Sequence, residues 1–164
     1  MNACEILYRS IGTIHSEHTI AEKTPIQPVY AKGCKGYVEV WKEFVEGLKD
    51  LDGFSHIYLI YSFHRCREVK LTVKPFLQDV DRGVFSTRAP FRPNPIGLSV
   101  VELIKIEGNI LHIEGVDILD GTPLLDIKPC TAKFDRHDIK KNGWQDEVEE
   151  HTAQKRGKRG YEKP

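Results

Sequence analysis

Hydrophobic residues in this chain are concentrated in short runs, several of which alternate with polar residues, and the runs are separated by Gly, Pro and Asp. Runs of this kind predict β-strands, because alternation turns one side of a strand toward a core. We therefore predict a mainly β fold, either a barrel or a sandwich. The predicted strands cover residues 6–15, 37–40, 54–63, 71–75, 84–87, 98–106, 110–116 and 124–127.

Two turns and one helix complete this pattern. Residues 107–109, Glu-Gly-Asn, separate two strand-like runs and predict a β-hairpin, since Gly and Asn tolerate the positive φ of tight turns. The Asp-Gly pair of LDGTP, residues 119–123, predicts a second turn. One short helix is predicted from apolar residues spaced i, i+3, i+4 and i+7, whose shared face should pack on the core: Trp41, Phe44, Val45 and Leu48.

The chain is long enough for a single domain with a substantial core, and its composition changes after Cys130. We expect residues 1–134 to form that domain, and residues 135–164 to form a charged C-terminal tail that is peripheral or partly disordered. The basic end of the tail, QKRGKRGYEK at residues 154–163, is either solvated or in contact with phosphate.

The net charge and the cysteine content of the chain limit which functions are consistent with its sequence. The formal net charge at pH 7 is zero, so binding to nucleic acid requires a local basic patch. The cysteines are far apart and form no Cys-x-x-Cys pair, and the histidines are scattered, so we predict neither disulfides nor a metal site. Because no segment has the length and apolar character of a membrane span or a signal peptide, we expect a cytoplasmic protein with no membrane partner.

The segment RAPFRPNPIG, residues 88–97, combines three prolines that restrict the backbone with two arginines. It is either a rigid turn at the rim of a sheet or a binding site for an anion or nucleic acid. Three further polar segments also separate predicted strands: HTIAEKTPIQP (18–28), SFHRC (62–66) and VDILDGTP (116–123). If these segments converge at one end of a barrel, they offer arginines for carboxylate or phosphate and carboxylates for ribose hydroxyls.

Motif order identifies a resemblance to a known family. GVFSTRAPFRPNPIGLSVVEL, followed by GVDILDGTPLLDIKP, closely resembles the signature of the TrmO family of S-adenosylmethionine-dependent tRNA adenine-37 N6-methyltransferases. IGTIHS, IQPVYAKGCKGYVEV and LDGFSHIYLIYSFHR resemble the family's preceding segments in the same order, so that the similarity covers residues 6–134.

The resemblance implies a small, mostly antiparallel β-barrel with one or two short helices, acting as a homodimer. It implies S-adenosylmethionine as cofactor and the anticodon loop of tRNA as partner, with N6-threonylcarbamoyladenosine 37 as the methylated base. It also implies a form that lacks the extra C-terminal domain of longer members. By position, it assigns cofactor contacts to Ile26, Gln27, Pro28, His64, Arg65, Arg88, Leu98, Asp117, Ile118, Leu119 and Asp120. Bacterial members often have Pro-Arg-Gln-Pro at residues 25–28, so Ile26 replaces an arginine here and any contact of that side chain is lost.

Methyl transfer to adenine N6 requires alignment above all, helped by an acceptor for the N6 proton. Our candidates are the side-chain oxygen of Asn94 or a main-chain carbonyl of residues 93–95, with Asp117 or Asp120 as the competing proposal. Arg88 should hold the cofactor carboxylate or a tRNA phosphate, whereas Arg92 serves either the tRNA backbone or a partner subunit. Two other functions stay open: a non-catalytic RNA-binding barrel, and a methyltransferase with a small-molecule acceptor.

Overall fold

The structure is a computed structural model that describes residues 4–159. Its strands are β1 (Gly12–Ser16), β2 (Lys35–Val40), β3 (His56–Ser62), β4 (Thr72–Val73), β5 (Arg82–Gly83), β6 (Ile96–Glu107), β7 (Ile110–Glu114) and β8 (Thr122–Pro129). Six of them close a barrel in the order β1-β2-β7-β6-β3-β8, with every neighbouring pair antiparallel, and β4 pairs with β5 in a separate ribbon. The predicted mainly β fold and the antiparallel barrel are confirmed.

Alternation along the strands builds the core. In β3 the side chains of Ile57, Leu59 and Tyr61 are buried, while the residues between them are partly exposed. The same period of two places Val101 and Leu103 of β6 inside the barrel. Closure leaves no unpaired edge between the six strands, which removes the usual risk of an exposed sheet edge.

The predicted turns are confirmed. Gly108, between β6 and β7, has a φ of 62°, and Gly121 of the Asp-Gly turn has a φ of 74°. Both values lie in the left-handed region, where a side chain is strained, so glycine suits both positions.

The predicted helix is present as a 3-10 helix over Lys42–Leu48. Of the four apolar residues predicted to share its core-facing side, Phe44 and Leu48 pack against the core, and Trp41 is the residue before the helix. The remaining short 3-10 helices span Ala21–Lys23, Pro28–Tyr30, Leu51–Gly53, Val84–Ser86 and Gly143–Glu147.

The predicted strand at residues 84–87 is wrong, because Val84–Ser86 forms a 3-10 helix. Ser86 Oγ donates to the carbonyl of Gly83, and Thr87 Oγ1 donates to the carbonyl of Val84. These side chains bond to nearby backbone groups and so favour a turn over a strand. Two predicted strands are also shorter than expected: residues 6–15 contribute only the part from Gly12 onward, and residues 71–75 contribute Thr72–Val73.

Three connections meet at one end of the barrel. Antiparallel pairing brings the last residues of β1, β3 and β7 beside the first residues of β2, β6 and β8. The connections at this end are residues 17–34, 63–95 and 115–121, and they carry nearly all of the polar segments that sequence analysis singles out. We call this the site end of the barrel.

After β8 the chain forms α1 (Ala132–Asp135), the 3-10 helix Gly143–Glu147 and α2 (Glu150–Lys158). Sequence analysis expects a peripheral or partly disordered tail here, and the described part of it contains helices that contact the site end. Residues 160–164, which include the last part of the predicted basic cluster, lie outside the described residues. Within residues 4–159, no helix combines the length and the apolar character needed to cross a membrane.

Candidate functional site

Hydrogen bonds join the polar segments of the site end pairwise. Arg88 bonds to Gln27, Phe63 N–H donates to the carbonyl of Pro95 at 2.8 Å, and Ser99 bonds to Asp117. The structure therefore brings together segments that are far apart in the chain, as the sequence hypothesis requires. Loops held this way by a rigid barrel are suited to bind a ligand.

The pair of Gln27 and Arg88 is the most exposed part of this cluster. Arg88 Nη1 donates to Gln27 Oε1 at 2.5 Å, and Gln27 Nε2 donates to the carbonyl of Ile26 at 2.7 Å. Pro28 then begins the 3-10 helix Pro28–Tyr30, where the missing N–H of proline costs nothing. A guanidinium has five N–H donors, so Arg88 held by Gln27 keeps donors for a carboxylate or phosphate.

A buried polar chain lies behind that pair. Ser99 Oγ donates to Asp117 Oδ1 at 2.7 Å, and the Tyr61 hydroxyl lies 3.1 Å from Ser99 Oγ. Because the single Ser99 proton points to Asp117, the Tyr61 O–H donates to Ser99. Asp117 is only 8% exposed.

Burial raises the pKa of the Asp117 carboxyl to about 7, although the Ser99 hydrogen bond and the Arg88 charge act in the opposite direction. Burial and the nearby Asp117 also raise the pKa of Tyr61 far above its usual value, again partly opposed by Ser99 and by Arg88. A carboxyl that changes charge near neutral pH is a feature of functional sites.

Tyr61 and Ser99 belong to this polar chain but are not among the site residues predicted from the sequence. A signal for Ser99 exists in the strand pattern, because its position lies on the same inward face of β6 as Val101 and Leu103, where an apolar residue is expected. Gly97, two residues earlier, lies against the Tyr61 ring: a Cβ added there would lie 2.2 Å from Tyr61 Cε2. Glycine at this position lets the ring pass close to the backbone of β6.

The Asp120 carboxylate has different hydrogen-bond partners from those of Asp117. Its Oδ1 accepts from the Ser16 N–H at 3.1 Å and lies 3.2 Å from His15 Nδ1. It lines a groove of about 450 Å³ together with His15, Ser16, Lys35, Gly36 and Tyr37, none of which is a predicted site residue. Between the two aspartates, the carbonyl of Ile118 accepts from Ser16 Oγ and that of Leu119 accepts from Thr122 Oγ1.

The contacts of the Arg92 side chain are with residues of its own loop. Its Nη1 lies within hydrogen-bond distance of the carbonyls of Val84, Thr87 and Ala89, at 3.0, 2.8 and 3.5 Å, and its guanidinium lies 5.6 Å from the centre of the Phe85 ring. These contacts tie the segment 84–92 into one unit. The side chain therefore holds the loop that carries Arg88.

Asn94 is exposed at the tip of the same loop. Its main-chain carbonyl accepts from Ile96 N–H at 2.8 Å, and the carbonyl of Pro95 accepts from Phe63 N–H at 2.8 Å. Each of these two carbonyls already accepts one internal hydrogen bond, which makes both of them weaker candidates than the Asn94 side-chain oxygen.

The other predicted cofactor residues lie around this cluster. His64 and Arg65 are exposed after β3. Partial desolvation of the His64 ring, followed by the Arg65 charge, lowers the pKa of His64. The side chain of Leu98 in β6 points to the outside of the barrel and is 47% exposed. Their role in cofactor binding stays a prediction.

The described residues contain one cluster of metal-ligand type, formed by Glu17, His18 and Cys34, whose candidate ligand atoms lie within 4.8 Å of one another. His18 Nε2 also lies 2.9 Å from the carbonyl of Val116, and Cys34 is fully buried. Sequence analysis predicts no metal site, and the arrangement of Gln27, Arg88 and Asp117 does not involve this cluster.

Several known proteins are similar to this chain in sequence and fold. A probable S-adenosyl-L-methionine-binding protein of Pyrococcus abyssi is 55% identical over 139 residues, which are 85% of this chain and 76% of that protein. A mouse tRNA (adenine(37)-N6)-methyltransferase is 36% identical over 82% of this chain, which spans only 33% of the mouse protein. The crystal structure of TrmO from Pseudomonas aeruginosa superimposes with a TM-score of 0.71 at 37% identity, over 85% of this chain and 62% of that chain.

The sequence profile of the tRNA-methyltransferase O N-terminal domain matches residues 13–136. That range contains the six barrel strands almost entirely and every predicted site residue. With the barrel, the motif order and these relatives in agreement, the chain belongs to the tRNA-methyltransferase O N-terminal domain family.

Proposed function

We propose that this protein is an S-adenosylmethionine-dependent methyltransferase that methylates N6 of threonylcarbamoyladenosine 37 in tRNA. The observation that carries the proposal is the Gln27–Arg88 pair, held at the site end beside the buried Asp117 carboxyl. The names of the archaeal and mammalian relatives support the cofactor and the reaction respectively.

The donor set at the site end fits this cofactor. Arg88 keeps N–H donors for its carboxylate, Asp120 offers a carboxylate for its ammonium or ribose hydroxyls, and Ile26 and Leu98 offer apolar surface for its base. When bound, S-adenosylmethionine supplies a methyl group on a sulfonium, whose carbon–sulfur bond breaks, leaving the electron pair on sulfur, as N6 bonds to the carbon.

The residues of the chain orient the acceptor base and manage its proton. Asn94 Oδ1 accepts a hydrogen bond from N6–H, which favours attack, and the proton passes to solvent as the new bond forms. The prolines on both sides of Asn94 and the contacts of Arg92 hold the acceptor in place, so little reorganisation is needed. Asp117 is a positioning group, because it is buried, bonded to Ser99 and influenced by the charge of Arg88.

We also propose that the protein is a homodimer and acts in the cytoplasm. Exposed apolar side chains lie close to the site in sequence, namely Phe85 at 73% exposure, Ile96 and Leu98. Exposed apolar side chains of this kind are available for burial in an interface. Sedimentation equilibrium tests this point, since a single species of monomer mass at micromolar concentration would contradict the dimer.

The reaction is tested with labelled S-adenosylmethionine and two matched tRNA pools, one carrying threonylcarbamoyladenosine and one lacking it. Label that nuclease digestion and mass spectrometry locate only on modified adenosine 37 supports the proposal. No label on either pool, with cofactor binding established by calorimetry, would contradict the tRNA substrate and favour a small-molecule acceptor. RNA binding without cofactor binding would favour the non-catalytic module.

The acceptor role of Asn94 is tested by Asn94→Ala and Asn94→Asp, with cofactor affinity measured separately from turnover. We expect turnover to fall about a hundredfold in Asn94→Ala at unchanged cofactor affinity, in the range of a lost transition-state hydrogen bond. Full turnover in both variants would exclude a role for this side chain.

A further inference from the structure

The C-terminal segment contacts both sides of the candidate cofactor site. The family match ends at residue 136, and the segment Gly143–Arg159 lies beyond it. We call residues 143–159 the C-terminal brace. Its contacts fall immediately before Gln27 and close before Arg88, the two residues that bond to each other.

The first contact is made by Gly157 in α2. Its carbonyl accepts a hydrogen bond from Ile26 N–H at 3.0 Å, next to Gln27 in the chain. Gly157 is buried against Tyr30, so that an added Cβ would lie 2.5 Å from Cδ2 of the ring and 2.6 Å from Cγ. A clash with Cγ cannot be relieved by turning the ring about its own axis, so Tyr30 must change its χ1 rotamer or the 3-10 helix Pro28–Tyr30 must move.

The second contact is made by Trp144. Its Nε1–H donates to the carbonyl of Ser86 at 2.8 Å, two residues before Arg88. Glu147 supports this end of the brace, because its Oε2 accepts from Arg82 Nη2 at 2.8 Å and from Gln78 Nε2 at 3.0 Å.

Two outer contacts hold the brace on the connection between β3 and β6. Arg156 Nη2 donates to Asp79 Oδ2 at 2.9 Å, and the Arg159 guanidinium lies 4.1 Å from the centre of the Phe76 ring. The Arg159 side chain is partly buried, and this burial lowers its pKa. The brace thus touches residues 76–86 and residues 26–30 at once.

We infer that Gly157 and Trp144 are positioning residues for the cofactor site, through Ile26 and Ser86 respectively. The inference rests on the proposed function, because it takes the Gln27–Arg88 pair as a cofactor contact. A ligand group is bound more tightly when its partners are held in the bound geometry beforehand, and the second shell supplies that restraint. Each segment bearing one member of the pair is fixed by a separate residue of the brace.

The test compares Gly157→Ala with Gly47→Ala, a glycine in the 3-10 helix Lys42–Leu48 with nothing within 4 Å of an added Cβ. We expect the dissociation constant for S-adenosylmethionine, measured by calorimetry, to rise about tenfold or more in Gly157→Ala and to stay unchanged in Gly47→Ala. Hydrogen exchange of the peptide covering residues 24–31, measured without cofactor, should be faster in Gly157→Ala alone.

Two further variants exclude a merely structural effect. Trp144→Phe keeps an aromatic ring but removes the donor to Ser86, and it should weaken cofactor binding, whereas the matched Trp41→Phe should not. In a Tyr30→Ala background, which removes the ring that an added Cβ would meet, Gly157→Ala should cost little further affinity.

The outcomes separate this inference from the proposed function. Unchanged cofactor affinity in both Gly157→Ala and Trp144→Phe, with wild type binding the cofactor, would overturn the inference and leave the proposed function standing. If wild type binds no S-adenosylmethionine, the proposed function fails, and the exchange of residues 24–31 still decides whether Gly157 holds that segment.

Discussion

At the scale of single residues, two arginines of one loop have opposite surroundings. Arg92 bonds to backbone carbonyls of its own segment, whereas Arg88 is exposed and bonds to a side chain from another connection. Arg92 therefore stabilises the loop, and Arg88 is the arginine that is free to meet a ligand with its remaining donors.

We expect Arg88→Ala to weaken S-adenosylmethionine binding by about tenfold to a hundredfold, the range of one hydrogen bond between charged groups. The free energy of unfolding should change little, because the side chain is exposed. Calorimetry measures the affinity, and Arg67→Ala, an exposed arginine in the same β3–β6 connection, is the control. Equal affinities in the three proteins would contradict the role of Arg88, and loss of tRNA affinity alone would assign it to phosphate.

The raised pKa of the Asp117 carboxyl predicts that the stability of the protein depends on pH. Its folded pKa is raised from 3.8 to about 7 by burial, so the folded state holds this proton over a pH range in which the unfolded state releases it. The stabilising contribution is therefore complete below the unfolded pKa and is lost as the pH rises through the folded pKa.

We expect the free energy of unfolding of the wild type to fall relative to Asp117→Asn by about 3 kcal/mol between about pH 5 and pH 8. Asparagine keeps an oxygen for the Ser99 hydroxyl but does not titrate. Urea unfolding of both proteins across this range measures the difference. Parallel pH profiles would show that Asp117 titrates near its ordinary value.

At the scale of elements, Gly97 of β6 lies so close to the Tyr61 ring of β3 that no space is left for a side chain at residue 97. We expect Gly97→Ala to destabilise the barrel by about 1–3 kcal/mol, because its Cβ would overlap the buried Tyr61 ring. The same displacement should disturb the bond from Tyr61 to Ser99. Thermal and urea unfolding measure the loss, with Gly47→Ala as the control, and a stability equal to the control would contradict the rigid packing of Tyr61.

Most barrel elements follow from local patterns, and the exceptions have local causes as well. β3 and β6 are predicted nearly at full length, because alternation over many residues is a strong signal. Residues 84–87 read as a strand from their composition, but the hydroxyls of Ser86 and Thr87 bond to the backbone and close a 3-10 turn. The apolar content of this segment alone does not show that its hydroxyl groups compete with strand pairing for the backbone.

At the scale of the whole molecule, the formal net charge is zero, so the proposed binding of tRNA requires a local arrangement of basic residues. Arg65 and Arg88 are both exposed at the site end. We expect tRNA affinity to fall by about tenfold between about 50 and 200 mM salt, as counterion release at a few phosphates requires. Fluorescence anisotropy with labelled tRNA measures this, and affinity independent of salt would contradict phosphate contacts.

The sequence by itself determined most of the barrel strands, the Gly108 and Gly121 turns and the membership of the family, because alternation, turn chemistry and motif order are properties of neighbouring residues. Only the tertiary structure decided which distant groups meet. Gln27 joins Arg88 across 61 residues, Ser99 and Tyr61 join Asp117 inside the barrel, and Gly157 reaches Ile26 from the far end of the chain. These contacts depend on barrel closure and on strand register, which no short stretch of sequence contains.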